Sequence, residues 1–193
     1  MTRSTDTKDR IFSATLQLIS EQGYTGTTVD EIVARAGVAK GTMYYHFSGK
    51  AELVEALIAE QLAPVAKGFR ETAESVSDPT AAIDALVRFE LEWIRDNRAF
   101  AKMLITELWR EDRAWRQTLV FLRHQIIGSI SEVISRGLKA HAFRGDIDPD
   151  FAGSALFGLV ATTALDWLVF SPERPIEFIA DQVSRLAATA TRA

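Results

Sequence analysis

Nowhere in this 193-residue chain do apolar and polar side chains alternate for long enough to make a half-buried strand. Apolar residues recur instead at spacings of three and four, interrupted by signals that start and stop helices. Residues 8–22 set Ile11, Phe12, Thr15, Leu16, Leu18 and Ile19 on one broad face, and Gly23 follows where a helix C-terminus belongs. Thr28 and Glu31 stand at capping-box spacing, so a second helix is predicted to start there. It runs to about Arg35, because Ala36-Gly37 breaks it, and Val38 opens a further short helix. Ser48 is placed to cap a fourth helix beginning near Lys50. Pro64 is expected to kink or break that helix, since proline lacks an amide donor and clashes with the preceding turn. Asp78-Pro79 and Asp148-Pro149 each join an N-cap to a proline at the first helical position. Periodicity predicts helices at 79–96, 98–109, 112–140, 149–170 and 175–190, with HAFRGDIDPD and SPERP as loops. The expected fold class is all-α.

A chain of this length buries roughly 70% of its unfolded surface and needs no covalent staple to hold a core. It has no cysteine, which removes disulfides, thiol nucleophiles and thiolate metal ligation, and fits a reducing cytoplasm. The polar N-terminus, MTRSTDTKDR, lacks the apolar core of a signal peptide. Residues 151–170 are long enough to span a bilayer, but Asp166 lies among them, no basic residues flank them closely, and Gly, Ser, Thr and Ala run throughout. A buried helix is expected there, and no membrane partner.

Charge is unevenly distributed. The chain carries a net −4, yet residues 1–50 hold six Lys/Arg against five Asp/Glu, and 51–193 hold sixteen against twenty-one. From Ile32 to Ala51 there are three bases, Arg35, Lys40 and Lys50, and no acid. Such a patch confines polyanion binding to one end of an acidic molecule.

The patch coincides with two short predicted helices joined by a tight turn at Gly37, the layout of a helix-turn-helix. Val29, Ile32, Val33, Val38 and Met43 are the apolar positions that fix the pair against the first helix. Lys40, Thr42, Tyr45 and His46 are left facing outward, with Tyr44 at the edge, and these side chains donate to phosphates and base edges. Gly41 allows a sugar-phosphate chain to approach closely. Thr28, with the first amides of the second helix, is suited to hold a phosphate, and Lys50 repeats this at the fourth.

Residues 8–57 resemble, without a gap, the N-terminal domain of TetR-family transcriptional regulators. The likeness lies in Gly23-Tyr24, Thr27-Thr28, Ala36-Gly37-Val38, Lys40-Gly41-Thr42, Tyr44, Phe47, and Lys50 with Leu53. It implies a cytoplasmic all-helical homodimer that binds a palindromic double-stranded DNA operator and leaves it when a small molecule occupies the C-terminal domain. By position it also implies DNA contacts from Thr28, Lys40, Gly41, Thr42, Tyr44, Tyr45, His46 and Lys50. Residues 1–50 form the expected DNA-binding domain, and 51–193 the ligand-binding and dimerisation domain, with the fourth helix as connector. Two positions depart from the pattern. Ala39 stands where Ser or Thr is frequent, which removes a side-chain cap from the recognition helix, and Val33 stands where a smaller Ala is usual.

The C-terminal part holds all four tryptophans and most of the phenylalanines. A helical bundle this aromatic suits a largely apolar effector, with few polar anchors in the pocket wall. Phe89, Glu90, Trp93, Met103, Glu107, Phe121 and His124 are the candidate ligand contacts. Ser154, Gly158 and Thr162 recur every four residues and admit a partner helix closely. With Asp166 continuing the stripe and Arg185 as a counter-charge in the other subunit, they are the candidate dimer interface.

Enzymatic motifs are missing. Gly49-Lys50 is followed by Ala51 and has no glycine five residues earlier, there is no G-x-S-x-G, and His46, His124 and His141 are too scattered for a local metal motif. No catalytic residues, metal or cofactor are expected. The competing reading is a helical small-molecule-binding or scaffold protein without sequence-specific DNA binding.

Overall fold

The computed structural model describes the backbone of residues 2–107 and 115–191, and the side chains of 6–104 and 115–191. Nine α-helices run through these residues: α1 (Thr2–Gly26), α2 (Val29–Ala36), α3 (Lys40–His46), α4 (Lys50–Ser75), α5 (Pro79–Asp96), α6 (Arg98–Glu107), α7 (Arg116–Lys139), α8 (Pro149–Phe170) and α9 (Ile176–Thr191). No strand is found among them.

Most boundaries follow from local chemistry. At Gly23, φ 75° and ψ 166° interrupt α1, so its regular part ends at the predicted glycine. The capping box at the start of α2 is complete. Thr28 Oγ1 accepts from the Glu31 amide at 3.3 Å, and the Glu31 carboxylate accepts from the Thr28 amide at 2.8 Å. α2 ends in a Schellman arrangement around left-handed Gly37 (φ 63°), whose amide donates to the Ala34 carbonyl while Val38 donates to Val33. Asp78 and Asp148 cap α5 and α8 ahead of their prolines.

Of the kink or break expected at Pro64, the break does not occur: α4 continues through it. The helix forgoes one amide donor there, yet Leu62, Val65, Ala66 and Phe69 are all buried, and that packing holds the turn.

The helices fall into two compact units. One comprises Met1–Gln61 and Ala99–Val120, the other Leu62–Arg98 and Phe121–Ala193. The first therefore reaches past residue 50 and takes in α6 from Ala99 onward and the first turn of α7, residues that the expected division placed in the C-terminal part. Its core is Ile11, Phe12, Leu18 and Ile19 of α1, Ile32 and Val33 of α2, Met43, Phe47, and Leu53, Val54, Leu57 and Ile58 of α4. Arg10 donates to the Ala36 and Gly37 carbonyls at 2.6 and 2.8 Å, closing the end of α2 from the first helix.

In the second unit α5 packs on α8 and α9. Gly68 of α4 lies so close to Phe89 that a Cβ would fall 2.3 Å from the ring, while Phe69 meets the same ring edge-on at 5.2 Å. Gly153 approaches Ser131 as tightly, with 2.5 Å to its hydroxyl from a built Cβ. Arg88 bridges Asp84 of its own helix and Asp181 of α9. Arg136 donates to the Ala73 and Val76 carbonyls, which α4 leaves open at its end.

α8 was expected to be buried. Gly153, Val160, Ala161, Ala164 and Trp167 are, but only 28% of its most apolar stretch is covered within the chain. Phe151, Val169 and Phe170 are exposed on it, as are Phe178 and Leu186 on α9.

Candidate nucleic-acid interface

On α3 one side chain is fully enclosed, Met43, and it sets the orientation of the other six. At about 3.6 residues per turn, Gly41 and Tyr45 lie opposite Met43, Tyr44 and Thr42 flank them, and Lys40 and His46 stand nearest the seam. Observed exposure follows this order broadly. Tyr45 is 84% exposed and Tyr44 48%, Gly41 and Lys40 are open, and Thr42 and His46 are half-buried. A Cβ on Gly41 would meet nothing within 4 Å, so the surface there is unobstructed. Tyr45 and His46 contact edge to face at 5.1 Å, which orients both rings along the open face.

The N-terminus of α3 has no side-chain cap, as Ala39 predicted. Lys40 Nζ instead pairs with Asp30 of α2 at 2.7 Å, and this hydrogen-bonded carboxylate raises the lysine pKa. The pair is exposed, so a phosphate competes for the ammonium at little cost.

Two expected DNA contacts are engaged elsewhere. Thr28 is exposed, but its hydroxyl and amide both serve the capping box. The hydrogen bonds from Thr28 also lower the Glu31 pKa. Lys50 is half-buried and its ammonium is turned inward, donating to the Tyr24 carbonyl at 2.8 Å and the Thr27 carbonyl at 2.6 Å, 4.1 Å from the centre of the Tyr24 ring. Lys50 thus ties the first helix to the start of the second. Sequence spacing placed it correctly at a helix N-terminus, but only the fold brings two carbonyls within reach of its side chain.

The helix-turn-helix as built presents an uncapped helix N-terminus, two open tyrosines and a glycine gap on one face. Residues 11–57 match the family model for bacterial regulatory proteins of the tetR family, and residues 79–159 match the tetracyclin repressor-like C-terminal domain. The chain belongs to the TetR family. Over 177 residues it is 19% identical to the fatty acid metabolism regulator protein of Bacillus subtilis, covering 92% of this chain and 91% of that one. The transcriptional regulator UidR of Escherichia coli K12 is 25% identical over 150 residues, 77% of this chain and 73% of that protein. Among solved structures, FadR from Bacillus subtilis in complex with stearoyl-CoA superposes with a TM-score of 0.83 at 19% identity, over 94% of this chain and 97% of that one. A TetR-family, ligand-responsive DNA-binding transcriptional regulator is what the two matched regions and these relatives describe.

The candidate ligand contacts are divided between the two units. Met103 is buried in the first unit, whereas Phe89, Glu90, Trp93, Phe121 and His124 belong to the second. Phe121 is 61% exposed and His124 is exposed too, so both side chains stand open on α7. The Glu107 side chain lies outside the described residues. Phe89 packs on Phe69, and Trp93 is half-buried.

Glu90 is 5% exposed, and burial alone raises its pKa well above the usual carboxylate range. No described group offsets that burial. A groove of about 670 Å³ that the sequence did not suggest runs between α8, α9 and the 144–148 loop, past Ile83, Arg144, Phe151, Leu159 and Leu186. None of the candidate ligand residues lines it.

The candidate dimer residues are all at least partly open. Thr162, Asp166 and Arg185 are exposed, and Ser154 and Gly158 are half-buried. A Cβ at Gly158 would meet nothing. Ser154 accepts a hydrogen bond from Arg123 at 3.0 Å.

Proposed function

We propose that the chain acts as a homodimeric repressor that occupies a palindromic operator and is released by a largely apolar small molecule. The observation that carries the DNA reading is the outward face of α3, where Tyr44, Tyr45 and Gly41 stand open opposite buried Met43. On this reading Tyr44, Tyr45, Thr42 and His46 read base edges, and Lys40 leaves Asp30 for a phosphate. Two such heads in a dimer meet successive major grooves about 34–36 Å apart. Thr28 and Lys50 serve DNA binding by holding the head together.

The uncovered apolar surface of α8 and α9, with its small residues at Ser154, Gly158 and Thr162, supports dimerisation through these two helices. A long-chain acyl-CoA is the first effector to test, because a related regulator was solved with stearoyl-CoA. Glu90 is a buried carboxyl within the second unit that such a ligand would meet or displace. Repression follows from occupancy of the operator, release involves no chemical step, and the site of action is the cytoplasm.

The test is selection from a randomised duplex pool at about 150 mM salt, where non-specific phosphate binding is suppressed. Enrichment of one inverted repeat is expected; folded protein that enriches no sequence overturns the reading. Stearoyl-CoA is then titrated into the complex. Release supports the acyl-CoA assignment, and undiminished binding removes it while leaving the DNA reading intact.

A further inference from the structure

Residues 115–118 follow α6 in the chain, yet they pack within the same unit as the helix-turn-helix. Trp115 is 1% exposed and meets the Tyr24 ring edge-on, with centroids 4.4 Å apart. Tyr24 also receives the Lys50 ammonium on its ring and on its carbonyl. Lys50 spans from there to the Thr27 carbonyl, and buried Thr27 donates its hydroxyl to the Gly23 carbonyl at 2.8 Å. The next residue, Thr28, begins α2 through its capping box. One turn beyond Trp115, the Thr118 hydroxyl donates to the Glu55 carboxylate of α4 at 2.6 Å. Ile19, Tyr24, Val54, Ile58, Met103 and Leu104 close around the indole.

We propose that Trp115 and Thr118 are positioning residues for operator binding. Docked on Tyr24 and Glu55, they fix the Tyr24–Thr28 turn through Lys50, and that turn sets where α2 begins and hence how α3 is presented. The proposal rests on the DNA-binding reading above. Neither residue touches DNA. They act through Tyr24 and Lys50, whose ring contact and two carbonyl bonds are made inside the protein.

The full-length protein is tested as Trp115→Leu, which removes the ring contact, Trp115→Phe, which keeps an aromatic edge on Tyr24, and Thr118→Val, which removes only the hydroxyl. Trp115→Leu is expected to weaken binding to the selected operator about tenfold, the size of one lost aromatic contact passed to the head. Non-specific binding at low salt should change little, Phe should restore most of the affinity, and Thr118→Val should weaken it by a smaller factor. Amide exchange over residues 20–31 supplies a readout that needs no DNA. It should quicken in the Leu and Val variants and not in Phe. Should Leu not fold, Thr118→Val decides. Folded variants with unchanged exchange over 20–31 and unchanged operator affinity overturn the proposal. If the wild-type protein selects no operator, the functional reading fails, and the exchange result still judges the packing claim.

Discussion

Tyr45 projects from α3 with most of its ring uncovered, in a position no core contact requires. Replacing it with Ala should leave the melting temperature unchanged, and should cost about 1–3 kcal/mol of discrimination between operator and mismatched sites. Competition binding against single-base variants checks this; unchanged selectivity would place the reading face elsewhere on α3. Glu90 is the opposite case, a carboxyl held inside an apolar unit. Its folded-state pKa is raised, so between the unfolded carboxylate value and that raised value the folded chain binds more protons than the unfolded one. Stability therefore falls as pH climbs through this window. Glu90→Gln keeps the shape without the charge. It should raise thermal stability by about 1–3 kcal/mol at pH 8 and change it little at pH 4. Melting curves across that range decide, and parallel wild-type and variant profiles would sink the argument. Neither residue's setting is a matter of composition: Tyr45 is open because Met43, two positions earlier, is enclosed.

At the level of helices, the boundaries were the most legible part of the sequence. The capping box at Thr28, the left-handed Gly37 and the two Asp-Pro starts were read in advance because each is a bond between residues at most five apart. The same locality yields a prediction. Ala39 is extended and gives α3 no side-chain acceptor, so Ala39→Ser should add about 1 kcal/mol to the stability of the head. Chemical denaturation measures it, and a gain in stability without a change in operator preference is expected. The break considered at Pro64 is absent for the complementary reason. Its local penalty is real, but Leu62, Val65, Ala66 and Phe69 lie in cores assembled from distant segments, and that burial outweighs one missing hydrogen bond.

For the whole molecule, the unfinished feature is the outer face of α8 and α9. A mostly uncovered helix as apolar as α8 is costly in water, and the small stripe through Gly158 offers a close seat for another helix. Among the described residues, nothing beyond α8's own backbone stands within 4 Å of a Cβ at that position. Gly158→Leu should therefore leave the subunit folded, by circular dichroism, while shifting the sedimentation profile from dimer toward monomer and weakening operator binding with it. A dimer that persists in the variant would remove this face as the subunit contact.

The sequence by itself determined the all-helical class, nearly every helix end and the identity of the recognition helix, because those depend on periodicity and on bonds between near neighbours. Tertiary structure alone decided three things. It turned Lys50 inward to the Tyr24 and Thr27 carbonyls, it set Trp115 against Tyr24, and it pointed Phe121 and His124 outward. The first two depend on which segments meet across 23 to 91 residues of chain, and helical spacing gives the face of a helix without saying what that face will touch.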